Sequence, residues 1–118
     1  MLEMTTDVTP YLNRLDFLND TAQQVIKDFG MSGIEIKFSG NAEEAYAELF
    51  SQIHPQIEKL IKGNTGFFYN LLYRIDLSEG QIKKAVEASF DRSFSEVVTD
   101  LILKRELLKV IMRKTYKQ

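Results

Sequence analysis

The only histidine of the chain is the first residue whose chemistry could be catalytic. His54 precedes Pro55, and Glu58 follows one helical turn later, where its carboxylate can orient the imidazole ring. General base catalysis also needs a nucleophile and a substrate pocket, and no residue nearby in the sequence pairs with His54 as a nucleophile. The spacing therefore predicts a half-exposed histidine at the edge of a helix, and no catalytic residue is assigned.

Carboxylates form the second group that could do chemistry, because clustered acids can bind metal ions. They fall into two sets, one opening a predicted helix and one on the polar side of another: Glu43, Glu44, Glu48, Asp16, Asp20 and Asp28. A helical di-metal site needs inward-facing acids from several helices and a Glu-x-x-His spacing, which this chain lacks. The absence of cysteine also excludes thiolate metal sites and thiol nucleophiles. We expect these acids to be solvated, with no metal and no cofactor.

Residues 63–66, with the sequence Gly-Asn-Thr-Gly, are too few to form a phosphate-binding loop and have no following Lys-Ser/Thr pair. They predict a turn between two helices. No nucleophile elbow and no dinucleotide fingerprint occur elsewhere in the chain. The sequence thus favours a protein that is not an enzyme.

Charge divides unevenly along the chain. From Lys104 onward there are six basic residues and one acid, a balance of +5, while the preceding 103 residues carry 9 basic and 16 acidic groups, a balance of −7. This division indicates either a basic end that binds an anionic partner or a tail that lies across the acidic part of its own fold. A helix-turn-helix drawn over residues 79–100 would place Glu96 and Asp100 against phosphates, so nucleic acid is not the expected partner.

Arg105 is predicted to lie inside an apolar helix face, between Leu101 and Leu108. An unpaired buried charge is costly, so this position predicts a carboxylate partner, for which Asp76 is the candidate. The alternative is that Arg105 contacts an anion from outside the chain.

Aromatic residues are numerous, with eight Phe and five Tyr. Tyr69 and Tyr73 share one predicted helix and could line a small pocket beside Arg74. Aromatic residues at helical spacing usually belong to a core, and this group is where a small-molecule pocket is predicted.

The elements that position these residues are mainly helices. Apolar residues recur at helical spacing over residues 10–29, 42–62, 67–75, 79–89 and 94–116. Capping patterns mark several of the helix starts: Thr9 with Pro10, Asn41 with Glu44, Ser78 with Gln81 and Ser93 with Glu96.

Between Gly33 and Gly40 the residues alternate apolar and polar, which predicts a short strand over Ile34–Phe38. Its partner would be residues 2–8 of the same chain or the same strand of a second subunit. The predicted fold class is therefore mainly α, with about five helices and one or two short β-strands in the N-terminal third.

The last predicted helix carries two apolar stripes on opposite sides. One contains Leu101 and Leu108, and the other is Leu103, Leu107 and Val110. A helix that is apolar on both sides is buried on both, within its own fold or at a subunit interface. The second stripe is predicted to be the surface through which two copies associate.

Two stretches, Leu71–Glu79 and Ile102–Val110, carry a resemblance to a group of small uncharacterised helical bacterial proteins of no known function. The resemblance covers roughly the C-terminal half of the chain. It implies a helical fold and no particular activity.

A chain of 118 residues without repeats or linkers predicts one domain spanning residues 1–118. No stretch is long and apolar enough for a membrane span and no secretion signal is present, so a soluble cytoplasmic protein is expected. The first function predicted is a non-enzymatic interaction or assembly module, a homodimer joined through the C-terminal helix. The alternatives are binding of an anionic partner through the basic end and a small-molecule pocket near Tyr69, Tyr73 and Arg74.

Overall fold

The computed structural model describes residues 7–116, which form five α-helices and two single-turn 3₁₀ helices. The mainly helical prediction is confirmed, and none of the helices described is long and apolar enough to cross a membrane. The 3₁₀ turns are Thr9–Tyr11 and Ala42–Glu44, and the α-helices are α1 (Leu15–Met31), α2 (Ala45–Gly63), α3 (Thr65–Ile75), α4 (Glu79–Glu87) and α5 (Phe94–Tyr116).

Helix α5 is the central element, because it contacts each of the other four helices. Its N-terminal half belongs to a buried cluster that includes Phe29 of α1 and Ile53 of α2. Its C-terminal half belongs to a second cluster with Val8 and Phe17. This arrangement buries both apolar stripes of α5 within one chain.

The second stripe of α5 is therefore not a docking surface. Leu103, Leu107 and Val110 are 2%, 2% and 0% exposed. The prediction that a second copy covers these three residues is wrong, because the chain's own N-terminal turn and α1 lie where a partner was expected.

No β-strand forms within residues 7–116, so the predicted strand over Ile34–Phe38 is wrong. The segment is instead an unpaired stretch beside α2. Lys37 donates its backbone N–H to Gln52 Oε1 at 2.9 Å, and Gln52 Nε2 donates to the Lys37 carbonyl at 2.7 Å. Ser39 likewise donates its backbone N–H to Glu48 Oε2 at 2.9 Å. Side chains of α2 thus make the hydrogen bonds that a partner strand would otherwise make.

The alternating pattern of this segment still reports which side is buried. Ile36 is buried, and Ile34 and Phe38 pack against the main core, whereas Glu35 and Lys37 are exposed. The alternative partner strand, residues 2–8, falls mostly outside the described residues.

The capping patterns mark the starts of α4 and α5 but not those of α1 and α2. At α2, Asn41 accepts the Glu43 N–H at 3.2 Å and caps the 3₁₀ turn Ala42–Glu44, and the α-helix begins at Ala45 without a side-chain cap. The first helix begins at Leu15 and not at Pro10, because Asp7 accepts the Thr9 N–H at 2.9 Å and closes a separate turn. Arg14 is then extended, with its guanidinium 4.6 Å from the centre of the Phe17 ring. The chain therefore turns once before α1 begins.

Helices α2 and α3 are joined by a single residue. Helix α2 continues through Pro55 as one helix, as the apolar spacing over residues 42–62 predicts, and ends at Gly63. Asn64 then accepts the N–H of Phe67 at 3.1 Å through its side-chain oxygen, which caps α3. The turn predicted over residues 63–66 is shorter than expected, because this cap lets α3 begin at Thr65.

Candidate functional site

A groove of about 400 Å³ lies between α3, α4 and the start of α5. This volume falls within the range of roughly 300–1,000 Å³ typical of ligand sites. Its walls are mostly apolar, and its rim carries three charged residues. The apolar residues are Phe68, Tyr69, Ile82, Val86 and Phe94, and the charged residues are Glu79, Lys83 and Glu87.

Local sequence sets the three helices that form the groove. Ser78 and Gln81 form a reciprocal capping box at the start of α4, as predicted. Ser93 and Glu96 form the equivalent pair at the start of α5, with N–H···O distances of 2.9 and 3.2 Å. Hydrogen bonds from the backbone and side chain of Ser93 lower the pKa of Glu96, so this cap is strongest when Glu96 is ionised.

The mouth of the groove is rich in exposed aromatic side chains. Tyr69 is 50% exposed and Phe94 is 44% exposed. Phe90, on the connector from α4 to α5, is 95% exposed and lies within four residues of both Glu87 and Phe94. An apolar groove with exposed aromatic side chains in its wall is typical of an interaction or ligand site. The sequence interpretation missed Phe90, although an apolar residue in a polar turn between two capped helices was a usable signal.

The pocket predicted from α3 forms only in part. Tyr69 lines the groove, whereas Tyr73 is 88% exposed and is not part of its wall. Arg74 turns toward the end of α1, where its Nε donates to Ser32 Oγ at 3.1 Å. The prediction that Tyr69, Tyr73 and Arg74 converge on one pocket is wrong, because Arg74 points to α1 and α4 covers only the Tyr69 end of α3.

Arg105 and Asp76 lie together, at 2.7 Å between Nη2 and Oδ2. The Arg105 side chain is only 13% exposed, whereas Asp76 is 80% exposed. Arg105 Nε also approaches the Ile75 carbonyl at 3.4 Å, at the end of α3. A cation at this position stabilises the C-terminus of α3. Arg105 therefore links α3 to α5, and its charge is already paired within the chain.

His54 has a partner that the sequence interpretation missed. His54 Nε2 lies 2.9 Å from Ser95 Oγ, and the Ser95 hydroxyl donates to Glu58 Oε2 at 3.2 Å. Ser95 is 7% exposed, and it borders a second, smaller groove of about 220 Å³. Because 41 residues separate His54 from Ser95, no local spacing could have indicated this contact.

This serine is not arranged as a nucleophile. In a nucleophile–base pair the serine proton goes to the imidazole, and an acid orients the far ring nitrogen. Here Glu58 accepts from the Ser95 hydroxyl and lies 3.9 Å from the same His54 nitrogen. The group therefore joins α2 to the first turn of α5, which carries Phe94, and so helps to fix one wall of the larger groove.

A cluster of ionisable side chains is buried between α1 and α5. Asp28 is 6% exposed and Glu106 is 0% exposed. Lys109 Nζ lies 3.0 Å from Asp28 Oδ2 and 3.1 Å from Glu106 Oε1. Gln24 Nε2 donates to Asp28 Oδ2 at 3.1 Å. The prediction that Asp28 is solvated is wrong, because α5 crosses this side of α1.

The two carboxyls of the cluster differ in their affinity for protons. Burial, with the neighbouring Asp28 adding to it, raises the pKa of Glu106 to about 8 against the influence of Lys109. Neither Glu106 oxygen receives a well-aligned hydrogen bond from the described residues, so the favoured form is the neutral acid, whose proton can reach Asp28. Burial acts to raise the pKa of Asp28, but hydrogen bonds from Glu106, Lys109 and Gln24 outweigh it and lower that pKa.

The basic end of the chain is largely engaged by the chain itself. In addition to the contacts of Arg105 and Lys109, three more basic side chains of α5 have intrachain partners: Lys104 with Asp100 at 2.9 Å, Lys114 with Asp20 at 2.7 Å, and Arg113 with Gln24 at 2.7 Å. Lys117 lies outside the described residues. The excess of basic residues from Lys104 onward, which favoured an anionic partner, is thus accounted for by contacts within the fold.

Among residues 7–116 there is no group of three His, Asp or Glu side chains placed to hold a metal ion. No protein-family model, no curated protein and no solved structure matches the chain. Function is therefore inferred from the geometry of the groove and of the exposed side chains around it.

Proposed function

We propose that this protein is an assembly module, in which two copies bind each other by exchanging the Phe90 side chain between their grooves. The observation that carries the proposal is a nearly fully exposed phenylalanine in the connector between α4 and α5, both of which contribute residues to the lining of an apolar groove. Exposing a large apolar side chain costs roughly 1.5–3 kcal/mol relative to burial, so burial of Phe90 against a second copy would be favourable.

Symmetry favours a second copy as the occupant. In a two-fold interface the same patch serves both subunits, so a patch must contain both an insert and a receptor. Phe90 is the insert, and the groove, which Phe94 helps to line, is the receptor. One two-fold axis near this corner would therefore bury both Phe90 rings at once.

The charges around the two parts are also complementary. The connector carries Asp91 and Arg92 directly after Phe90, and the groove rim carries Lys83 and Glu87. Asp91 of one copy can face Lys83 of the other, whereas Arg92 already lies 3.7 Å from Asp100 of its own chain. Such rim pairs contribute little affinity, but they disfavour a purely apolar ligand and help to set the orientation of the two copies.

The available area indicates a weak dimer. A fully exposed aromatic side chain offers about 150–250 Å², so Phe90, Tyr69 and Phe94 together expose roughly 400 Å² in each copy. Two copies would bury roughly 800 Å² of aromatic surface, about half of a standard interface, and the charged rim supplies further contact. We therefore expect dissociation in the micromolar range and not in the nanomolar range.

Sedimentation equilibrium on the wild type and on Phe90→Asp tests this proposal. The wild type is expected to dimerise with a dissociation constant of roughly 1–100 μM, and Phe90→Asp is expected to weaken the dimer at least about tenfold. Because Phe90 is 95% exposed, its substitution should leave the melting temperature of the monomer unchanged.

Tyr116→Asp is the matched control, since Tyr116 is 60% exposed and stands at the other end of α5, roughly 33 Å along the helix from Phe94. This variant should dimerise like the wild type. A wild type that stays monomeric near 1 mM, or a dimer unaffected by Phe90→Asp, contradicts the proposal. Binding of a small apolar compound to a monomeric wild type would instead assign the groove to a ligand.

A further inference from the structure

Two carboxyls and one ammonium group meet between α1 and α5, and none of the three residues lines the groove. Lys109 Nζ is 3.0 Å from Asp28 and 3.1 Å from Glu106, so one positive charge faces two acids. It can neutralise only one of them. A second carboxylate charge at a fully buried position has no counter-ion and loses its hydration, which strongly favours keeping one proton in the cluster.

The surroundings show which acid holds that proton. Asp28 has a second donor in Gln24, and Gln24 is itself held by Arg113 at 2.7 Å. Glu106 has no comparable donor, and it is completely buried. The ionisable groups acting on Glu106 in the described chain are Asp28 from α1 and Lys109 from α5. Glu106 is therefore the protonated member, and Asp28 is the ionised partner of Lys109.

We infer that Asp28, Glu106 and Lys109 form a proton-dependent lock that holds the C-terminal half of α5 against α1. With the proton bound, the cluster is electrically balanced and both helices stay joined. Loss of the proton places an extra negative charge in the interface, and hydrating it requires that α5 move away from α1. The lock is thus strongest at mildly acidic pH and weakens progressively as the pH rises toward 8.

The direction of the pH effect follows from proton linkage. The pKa of Glu106 is about 8 in the folded chain and near the ordinary value of 4.5 in the unfolded chain. Between these values the folded state holds a proton that unfolding releases, so the unfolding constant rises by up to about tenfold per pH unit. Above about pH 8 both states have lost the proton, and the dependence flattens.

Denaturant unfolding between pH 5 and pH 9 tests the lock. The wild-type unfolding constant is expected to increase roughly 100- to 1,000-fold from pH 5 to pH 8. Glu106→Gln keeps the shape of the side chain and cannot lose a proton, so it should lose most of this increase. Glu35→Gln is the control, because Glu35 is exposed, and it should follow the wild type.

A second measurement does not depend on the variant folding. The side-chain carboxyl carbon of Glu106, followed by carbon-13 NMR in the intact wild type, should titrate near pH 8. Titration near pH 4–5 would overturn the inference. So would a Glu106→Gln variant that folds and keeps the wild-type pH dependence, because the released proton would then belong to another group.

Discussion

Leu107→Glu is expected to unfold the protein at pH 7, and not to yield a folded monomer. Leu107 is 2% exposed and belongs to the buried cluster that includes Val8 and Phe17. Removing the leucine loses roughly 2–5 kcal/mol of packing, and an unpaired carboxylate at the same place costs several more. The free energy of unfolding of a domain of this size is about 5–15 kcal/mol, so the substitution removes most or all of it.

Far-ultraviolet circular dichroism with thermal melting measures this effect. The matched control is Thr115→Glu, which places the same charge at an exposed position of the same helix and should change stability by less than about 0.5 kcal/mol. A Leu107→Glu variant that is folded, monomeric and as stable as the wild type would mean that this side of α5 is a subunit interface. The internal packing described for α5 would then be incorrect.

Lys109→Met is expected to destabilise the protein by about 2–4 kcal/mol at pH 7.5. The substitution keeps the length of the side chain but leaves Asp28 ionised without its cation, with a 9% exposed side chain. The cost falls somewhat below that of a fully buried pair, because the Lys109 side chain is 21% exposed and Asp28 can respond by binding a proton. The defect should therefore shrink as the pH is lowered toward 5.

Urea unfolding compares this variant with Lys104→Met. Lys104 is also paired, with Asp100 at 2.9 Å, but its side chain is 41% exposed, so its removal should cost less than about 1 kcal/mol. Equal losses in the two variants would show that the buried cluster is no more important than a surface ion pair. Adding Glu106→Gln to Lys109→Met should recover part of the stability, since it removes one of the two acids that the lost cation faced.

Features determined by neighbouring residues were predictable from the sequence. The capping boxes at Ser78 and Ser93 form as predicted, because all of their atoms lie within four residues along the chain. The continuation of α2 through Pro55 was also predictable, because the apolar residues before and after the proline follow one helical spacing.

The strand prediction failed for a physical reason. Alternation along Ile34–Phe38 reports that one side of an extended segment is buried, and this is what the structure shows. The alternation does not indicate which groups form hydrogen bonds with the backbone of this segment. Gln52 supplies one donor and one acceptor to Lys37 from a helix, which no pattern of alternation can distinguish from a partner strand.

The candidate sites were the least predictable part, because they depend on contacts between distant residues. His54 meets Ser95 across 41 residues, and Lys109 meets Asp28 across 81. A helical wheel placed Asp28 on a polar side, where only tertiary packing could reveal that α5 covers it. The pairing of Arg105 with Asp76 was accessible from the sequence, since a charge within an apolar stripe demands a counter-ion.

In the proposed dimer, the Phe90 ring of one copy lies in the groove of the other copy. The experiment is an isotope-filtered nuclear Overhauser measurement on a mixture of labelled and unlabelled chains, at a concentration where sedimentation shows dimers. Cross-peaks are expected between the Phe90 ring of one copy and the methyl groups of Ile82 and Val86 in the other, which line the groove. A dimer that lacks these intermolecular cross-peaks, or that shows them at other surfaces alone, contradicts the account.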